Sequence, residues 1–345
     1  MITVPDLHGL SQNLIDWYSR EKRDLPWRQS KDPYRIWLSE IILQQTRVVQ
    51  GLPYYERFIH AYPTIQDLAE AEESSVLRTW QGLGYYSRAR NLHKTAKIIS
   101  NDFSGAFPNH YEGLIKLPGV GPYTAAAIAS LAFDEAVPVL DGNVYRLIAR
   151  LFGMEHDIAN QTNRKYFIEV LEQLVPRENP GDFNQAMMEM GALVCTPGVP
   201  KCDICPVRGY CFAYEHKQQE KLPVKIKKVK ITQKQFHYIV FEYAGSFGMK
   251  ERKGRGIWQG LFDFLLFEGG FQPEQAWGEL EPSPVFKHIL THQKIEATFY
   301  LVRFRNEDLF LAALNKYGLA PFTYTQMLNL PKPKLLVNYI EQQNF

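Results

Sequence analysis

Apolar residues in the first two-thirds of the chain recur at the spacing of amphipathic helices. Leu10, Leu14, Trp17 and Tyr18 fall on one helical face, and similar patterns continue to about Cys211. We expect helices over the segments that share this periodicity: 34–49, 68–80, 87–100, 111–116, 123–133, 143–152, 163–175 and 183–195. The predicted turns between them carry proline or glycine, as at Pro53, Pro63, Pro108 and Gly181.

The pattern changes in the last third of the chain. Residues 216–233 are rich in lysine and poor in apolar side chains, which is typical of a solvated linker, although such lysines are also suited to lie along phosphates. Short alternating or aromatic runs then predict strands, at 236–243, 256–268 and 294–304, and helices are expected at 273–280 and 330–343. The sequence thus predicts a helical domain over 1–215, a linker over 216–233 and a small α/β domain over 234–345.

The amino-acid composition excludes only a few classes of function. The chain has 345 residues, enough for two or three domains, and its net charge of +2 permits a local nucleic-acid-binding patch without requiring one. The first residues show no basic stretch followed by an apolar run, and no apolar run is long enough to span a bilayer. We therefore expect a cytoplasmic protein without a membrane segment, a compartment that disfavours disulfides.

All four cysteines of the chain fall in one short window, with the pattern C-x6-C-x2-C-x5-C. They are Cys195, Cys202, Cys205 and Cys211. Four thiolates on one loop suit an iron–sulfur cluster, which takes four cysteine ligands. A structural zinc is the main alternative, but zinc sites usually pair two close C-x-x-C clips across a long loop. The uneven spacing departs from that zinc pattern, and two disulfides or four idle thiols are the remaining alternatives at this point.

A short glycine-rich turn, Leu117-Pro118-Gly119-Val120-Gly121, separates two predicted helices. Two glycines let the backbone bend tightly, and the next helix begins with Pro122 at a favoured first position. Amide groups and the positive end of the helix dipole then face outward, which suits a phosphate. A plain helix–helix connection is the alternative for this motif taken alone.

The cysteine loop and the glycine turn together resemble the helix-hairpin-helix DNA glycosylases with an iron–sulfur loop, the group that includes endonuclease III. The resemblance covers about the first two-thirds of the chain and the order of its motifs. It implies two helical lobes with a DNA-binding groove between them. A helix-hairpin-helix at about 111–133 would grip the DNA backbone through Gly119, Val120 and Gly121, and the lobe that includes 195–211 would hold a 4Fe-4S cluster on the four cysteines.

Two carboxylates are candidates for the chemistry. Asp141 precedes a predicted helix, where aspartate usually acts as an N-cap, and the resemblance assigns a catalytic carboxylate to this position. A capped carboxylate is fixed, kept ionised by amide donors and able to stabilise positive charge on a sugar. Glu40 lies in a very apolar helix, so we expect desolvation to raise its pKa and keep a proton available near neutrality. It would protonate the departing purine as a general acid.

Position 123 separates two branches of the family. Bifunctional relatives carry a lysine there that forms a Schiff base with the sugar, whereas this chain has Tyr123. The chain therefore resembles the adenine-specific branch, whose members remove adenine paired with 8-oxoguanine without cutting the strand. A glycosylase and lyase acting on oxidised pyrimidines is the first alternative. A non-catalytic iron–sulfur module for DNA binding or electron transfer is the second.

The resemblance also assigns substrate contacts. Arg28 and Glu189 match adenine-pocket residues, and Asn143 matches the amide that holds Asp141 or the catalytic water. The residues matched to the group that wedges into the duplex and reads the opposing base are Gln45, Thr46, Leu83 and Tyr85.

In that branch the last domain is Nudix-like and recognises 8-oxoguanine. The run 256–268 matches its strand–turn–strand signature, and because no Nudix box is present the domain is expected to bind rather than hydrolyse. A base-recognition loop matches Phe286, Lys287 and His288, with lysine where the family has serine. The expected partner is duplex DNA carrying adenine opposite 8-oxoguanine, bound by a monomer associated with a bacterial nucleoid.

Overall fold

The computed structural model describes residues 6–226, 231–254, 256–271, 277, 280–290 and 292–343. These residues form two compact units, the first within 1–69 and 94–227 and the second within 70–93 and 228–345. Lys227, Lys228 and Lys230 of the predicted linker lie outside the described residues, as does most of the predicted helix at 273–280. The domain boundaries given above stay a prediction.

The chain before the linker is helical, as its periodicity predicts. None of the described helices is long and apolar enough to cross a membrane. The helices up to the cysteine loop are α1 (Leu7–Glu21), α2 (Pro33–Leu43), α3 (Val48–Ala61), α4 (Ile65–Glu70), α5 (Glu73–Thr79), α6 (Ser87–Asp102), α7 (Tyr111–Leu114), α8 (Pro122–Phe133), α9 (Gly142–Phe152), α10 (Arg164–Leu174) and α11 (Pro180–Leu193). Short 3-10 turns occupy Pro26–Arg28, Gln161–Asn163, Cys202–Ile204 and Arg208–Tyr210, and α12 (Phe212–Glu215) follows.

Two of the predicted helices are each interrupted. The predicted helix at 34–49 divides into α2 and α3, because Gln45 adopts a left-handed backbone with φ of 57°. The predicted helix at 68–80 divides at Glu72, whose extended backbone starts α5. Conversely, Pro53 and Gly181 were predicted as turns but lie inside α3 and α11. Pro53 is the sixth residue of α3, past the first turn, so the helix lacks one backbone hydrogen bond at this position.

The hydrophobic core of the first unit holds the candidate catalytic residue Asp141 in place. The apolar faces of α1, α9, α10 and α11 pack together, with Leu14, Ile148, Phe167 and Phe183 fully buried. Truncating any of these to alanine is expected to cost about 2–5 kcal/mol of unfolding free energy. This rigid packing fixes the N-terminus of α9, which carries Asp141, against α11.

The second unit combines a mixed sheet with helices, which confirms the prediction of an α/β unit. Its strands are β1 (Thr232–Tyr243), β2 (Ser246–Glu251), β3 (Phe262–Asp263), β4 (Leu265–Glu268), β5 (Glu281–Pro282), β6 (Phe286–Ile289), β7 (Gln293–Arg303) and β8 (Ala320–Thr323). The later helices are α13 (Glu307–Tyr317), α14 (Tyr324–Asn329) and α15 (Lys334–Gln342).

Long parallel strands form the centre of this sheet. β1 pairs with β7 in parallel over residues 232–242, while β4 pairs with β1 and β6 with β7 in antiparallel fashion. A core that includes Phe241, Leu265, Val302 and Phe310 lies between the sheet and α13. The β6–β7 hairpin therefore extends from a stable centre.

Candidate active site and cysteine loop

Glu40, Tyr123 and Asp141 come together in the first unit. Glu40 is on α2 and only 8% exposed, Tyr123 is in the first turn of α8, and Asp141 caps α9. Burial raises the pKa of Glu40 to about 7, and the nearby negative charge of Asp141 acts in the same direction. A hydrogen bond with the Tyr123 hydroxyl and the positive charge of Arg28 oppose this rise. Glu40 is thus poised to hold or release a proton near neutrality.

The Asp141 carboxylate accepts the backbone hydrogen bonds that are expected of a helix N-cap. Its Oδ1 accepts the backbone amides of Asn143 at 2.8 Å and Val144 at 2.7 Å, and its Oδ2 accepts the Asn143 side-chain amide at 2.9 Å. Burial nevertheless raises the pKa of Asp141 above its usual value, although these donors oppose the shift. The carboxylate is therefore fixed in direction and strongly desolvated, which strengthens its interaction with any nearby positive charge.

Tyr123 faces both Glu40 and α11. Its hydroxyl lies 3.2 Å from the Met188 Sδ and also beside Glu40, so its single proton can be donated to either one, and burial together with the neighbouring carboxyls raises its pKa well above the usual range. The Tyr123 side chain is accordingly a neutral phenol beside the buried acid, and it has no amine.

Arg146 is a site residue that the sequence analysis missed. Its Nη2 donates to the Asn143 Oδ1 at 3.0 Å and to the Gly191 carbonyl at 2.7 Å, and its Nε donates to the Cys195 carbonyl at 2.7 Å. These bonds orient the Asn143 amide so that its nitrogen faces Asp141. In the sequence, only the spacing could have indicated this role: Arg146 follows Asn143 by three residues on one predicted helix, and side chains at that spacing are neighbours.

The close approach of α9 and α11 makes this arrangement possible. A Cβ on Gly191 would lie 2.6 Å from the Asn143 Cβ, so a larger residue would push the two helices apart. Close packing against the Asn143 side chain thus explains why position 191 is a glycine.

A cavity of about 240 Å³ leads to Glu40. We call it the Glu40 cavity. Its buried floor is formed by an aromatic, aliphatic and polar set that includes Tyr18, Trp27, Arg28, Ile36, Glu40 and Gln185. Gln185, which is 7% exposed, was not identified from the sequence. A flat side chain, a cation, an amide and an acid together suit a planar heterocycle with hydrogen-bonding edges.

Glu189 lies behind Arg28. It is 1% exposed at its side chain, and its Oε2 is 2.6 Å from Arg23 and 2.8 Å from Arg28. Burial alone would raise the pKa of Glu189, but hydrogen bonds from the two arginines lower it to about 2. Glu189 therefore orients Arg28 through a two-point contact rather than lining the cavity.

The Glu189→Gln variant is expected to lose about 2–4 kcal/mol of unfolding free energy, because it leaves Arg28 with no counter-charge in a buried position while Arg23 stays partly solvated. Urea unfolding of the full-length protein measures this loss as a lower midpoint of the first transition. Glu172→Gln, an exposed glutamate on α10, is the matched control. Equal midpoints for the two variants would contradict the structural role of Glu189.

The glycine turn joins α7 to α8 as a hairpin. Gly119 has φ of 76°, which a side chain would strain, and Val120 is buried and donates its amide to the Leu117 carbonyl at 3.1 Å. A Cβ on Gly121, the N-cap residue of α8, would meet open space. Val120 thus shapes the turn, and the glycines present the open surface at which a phosphate can approach the helix N-terminus.

The four cysteines line one small cavity beside α9. Arg150 Nη1 donates to the Cys195 Sγ at 3.3 Å, and burial raises the pKa of the Cys205 thiol to about 12. In the described chain, no group of three cysteine, histidine or acidic residues converges closely enough to hold a single metal ion. Four cysteine side chains around one cavity are nevertheless the donor set that an iron–sulfur cluster takes, as thiolates when bound.

A further cavity, of about 490 Å³, lies within the second unit. Three of the predicted base-reading residues line it: Leu83 and Tyr85 from the 82–87 segment, and His288 from β6. Tyr85 is 45% exposed with φ of 49°, and the imidazole of His288 packs edge-on against Trp258 at 5.6 Å between ring centroids. Burial lowers the pKa of His288, which favours the neutral imidazole.

The other predicted base-reading residues, Phe286, Lys287, Gln45 and Thr46, do not line this cavity. Phe286, Lys287 and His288 form strand β6, so the prediction of a loop here is wrong. Their burial alternates with a period of two, which fits a strand. Phe286 packs against Phe299 and Tyr339, while Lys287 is exposed and 4.0 Å from Glu296. Gln45 and Thr46 lie in the break between α2 and α3 of the first unit.

Comparison with known proteins identifies the class. Residues 38–173 match the family described as HhH-GPD superfamily base excision DNA repair protein. A solved structure of a thermostable thymine-DNA glycosylase is 31% identical over 61% of this chain and 97% of its own, with a TM-score of 0.56. A trapped endonuclease III–DNA covalent intermediate, 21% identical, shares the fold with a TM-score of 0.54 over 63% of this chain and all of its own. The chain is therefore a helix-hairpin-helix DNA glycosylase, an enzyme of base excision repair.

Curated relatives define the family more closely. The adenine DNA glycosylase of Buchnera aphidicola subsp. Acyrthosiphon pisum is 35% identical over 95% of this chain and 97% of the relative. That of the Schizaphis graminum subspecies is 40% identical over 76% of each chain, and that of Homo sapiens is 42% identical over 64% of this chain and 42% of the relative. The chain belongs to the adenine DNA glycosylase family, which confirms the resemblance seen in the sequence.

Proposed function

We propose that this enzyme removes adenine paired with 8-oxoguanine from duplex DNA by hydrolysis of the N-glycosidic bond alone. The observation that carries this proposal is the cluster of Glu40, with a pKa of about 7, beside Asp141 and the neutral hydroxyl of Tyr123. One carboxyl is a proton donor and the other a fixed anion, the division of labour that glycosidic cleavage needs.

Glu40 acts first in this scheme. The adenosine flips out of the helix, and Glu40 protonates the purine at N7 or N3 so that a neutral base departs. Cleavage of the C1′–N9 bond leaves positive charge on the sugar, which faces Asp141. Water positioned by Glu40 and Asn143 then completes hydrolysis, and a transient covalent adduct between C1′ and Asp141 is compatible with the fixed direction of that carboxylate.

Tyr123 supports a reaction that stops at base removal. A lyase step needs an amine that attacks C1′, and the position that carries this amine in bifunctional relatives holds a phenol in this chain. Its hydroxyl is engaged with Met188 and Glu40, so its role is to orient the acid.

Recognition of the opposing 8-oxoguanine is proposed for the second unit, as a Nudix-like domain that binds without hydrolysis. Its cavity combines Leu83, Tyr85 and His288. The exposed aromatic ring of Tyr85 is suited to stack on a base, whereas Leu83 is buried and forms part of the cavity wall. Gln45 and Thr46 are proposed to enter the duplex from the first unit, where the left-handed backbone of Gln45 holds its side chain exposed.

A 4Fe-4S cluster on Cys195, Cys202, Cys205 and Cys211 is proposed to tie the loop together. When bound, it would supply a rigid anchor for the loop, and the nearby Lys201 and Arg208 would contact DNA phosphates. The Cys195 carbonyl already bonds to Arg146, so the loop supports Asn143 from behind. We propose that the enzyme works as a monomer on duplex DNA of a bacterial nucleoid.

A duplex panel tests this function. Full-length enzyme is incubated under single-turnover conditions with adenine opposite 8-oxoguanine, guanine, thymine or cytosine, and strand breaks are scored before and after hot alkali. We expect breaks only after alkali and most rapidly opposite 8-oxoguanine. Breaks before alkali, together with a borohydride-trapped adduct, would favour the lyase alternative. No breaks on any duplex after alkali would overturn the proposed activity.

A further inference from the structure

A short turn at 82–85 presents Tyr85, an exposed aromatic residue that lines the cavity of the second unit. Three of the four residues in this turn have positive φ: Gly82 at 104°, Gly84 at 74° and Tyr85 at 49°. Glycine adopts such a backbone readily, but a bulky aromatic residue does so only where the surrounding structure enforces it. The conformation of Tyr85 therefore indicates that neighbouring contacts hold it.

The chain on either side of this turn is fixed to distant parts of the same unit. Before the turn, the Gln81 side-chain oxygen accepts the Lys332 backbone amide at 3.1 Å. After the turn, the Arg90 guanidinium donates to the Gln259 carbonyl. These bonds hold the ends of the turn, whereas the direction of the Tyr85 ring depends on contacts closer to it.

Arg88, in the first turn of α6, supplies contacts of this kind. Its Nη2 donates to the carbonyls of Leu83 at 3.4 Å and Gly84 at 3.2 Å, and its backbone amide donates to the Tyr85 carbonyl at 2.8 Å. Its guanidinium carbon lies 4.9 Å from the centre of the Trp80 ring and 5.7 Å from that of the Tyr85 ring. Both distances are within the range at which a cation attracts an aromatic face. One residue thus bonds the backbone of the turn and lies over the ring that the turn presents.

The burial of Arg88 suits it to hold the turn rather than to bind DNA. The residue is only 9% exposed, and it is not among the residues that line the cavity. Burial lowers its pKa to about 10, with Tyr85 opposing this shift, so the guanidinium stays charged near neutrality. Arginines that contact phosphates have to reach the protein surface, so the charge of Arg88 acts within the protein.

On the basis of the proposed recognition of the opposing base, we propose that Arg88 is a positioning residue for that recognition. It holds the turn in its left-handed conformation and keeps the Tyr85 ring directed outward, where it stacks on the base opposite the extruded adenine. Because the ring is already fixed before DNA binds, less of the stacking energy is lost in ordering it. Arg88 acts on the base only through Tyr85.

A double-mutant cycle measured on two duplexes tests this role. Both duplexes carry 2′-fluoro-2′-deoxyadenosine, whose glycosidic bond resists cleavage because the fluorine disfavours positive charge on the sugar. One duplex places 8-oxoguanine opposite this nucleotide, and the other places a tetrahydrofuran abasic analogue, which offers no base to stack on. The full-length protein is titrated into each labelled duplex at a fixed salt concentration, and fluorescence anisotropy gives the Kd.

Arg88→Met and Tyr85→Ala are each expected to raise the Kd for the 8-oxoguanine duplex about tenfold, within the range that stacking one base on an aromatic side chain contributes. Neither change should alter the Kd for the abasic duplex. The double variant should bind the 8-oxoguanine duplex no more weakly than Tyr85→Ala alone, because Arg88 has nothing to position once the ring is gone.

Two further variants guard this comparison. Arg88→Lys keeps a cation beside the two rings but lacks the planar fork of donors, so we expect a smaller loss. It replaces Arg88→Met in the cycle if urea unfolding shows that the methionine variant is not folded. Arg305→Met, which changes an exposed arginine of the second unit, is the matched control and should bind both duplexes as the wild type does.

The other outcomes separate this proposal from the proposed function. Equal losses on both duplexes would show that Arg88 supports the fold in general, and additive losses in the double variant would show that it acts independently of Tyr85. Either result overturns the positioning role, as does a wild-type Kd for Arg88→Met on both duplexes. If Tyr85→Ala itself binds both duplexes as the wild type does, the proposed reading of the opposing base by Tyr85 fails, and the role of Arg88 fails with it.

Discussion

The Glu40→Gln variant is expected to release adenine about 10³-fold more slowly than the wild type in single turnovers. Glutamine keeps the shape of the side chain and can still contact Tyr123, but it has no proton to give to the purine. General acid catalysis typically contributes 10²–10⁴-fold, about 3–5 kcal/mol of the barrier. The exposed Glu56→Gln on α3 serves as the control and should retain the wild-type rate.

The pH profile of the wild type provides a second readout of the same acid. Because burial raises the pKa of Glu40 to about 7, the carboxyl is protonated below this pH and loses its proton above it. The single-turnover rate should therefore fall as pH rises through about 7, and this dependence should vanish in Glu40→Gln. A variant that keeps both the wild-type rate and the fall above pH 7 would show that another group supplies the proton.

Local patterns allowed much of the fold and part of the site to be predicted. Periodicity located most helices, and the glycine turn and the position of Asp141 before α9 follow from short-range rules on turns and caps. The apolar surroundings of Glu40 in its helix correctly indicated a raised pKa. In each case the interaction that decides the structure lies within a few residues along the chain.

What escaped prediction depends on long-range contacts. Arg28 and Glu189 are 161 residues apart, so nothing in the local sequence showed that Glu189 pairs with arginines. Arg146 bonds to the Cys195 carbonyl, 49 residues away, and Gln185 reaches the cavity because α11 packs against α1 and α8. The expectation that amide donors would dominate the pKa of Asp141 neglected the burial created by the same packing.

Asp141→Asn is expected to lower the single-turnover rate about 10²–10³-fold, the range found when one electrostatic contact to a developing charge is removed. The asparagine oxygen can still accept the amides of Asn143 and Val144, and asparagine caps helices about as well as aspartate. The change therefore removes the negative charge that faces the sugar while the start of α9 is retained.

Comparison with Asp141→Ala separates catalysis from capping. Alanine removes both the charge and the cap, so it should lose a similar factor in rate and, in addition, about 1 kcal/mol of unfolding free energy. Asp6→Asn, at the N-cap of α1, is a matched control that should leave the rate unchanged. If Asp141→Asn cleaved within threefold of the wild type while Asp141→Ala unfolded more easily, the aspartate would be a helix cap and the positive charge on the sugar would have to be stabilised by another group.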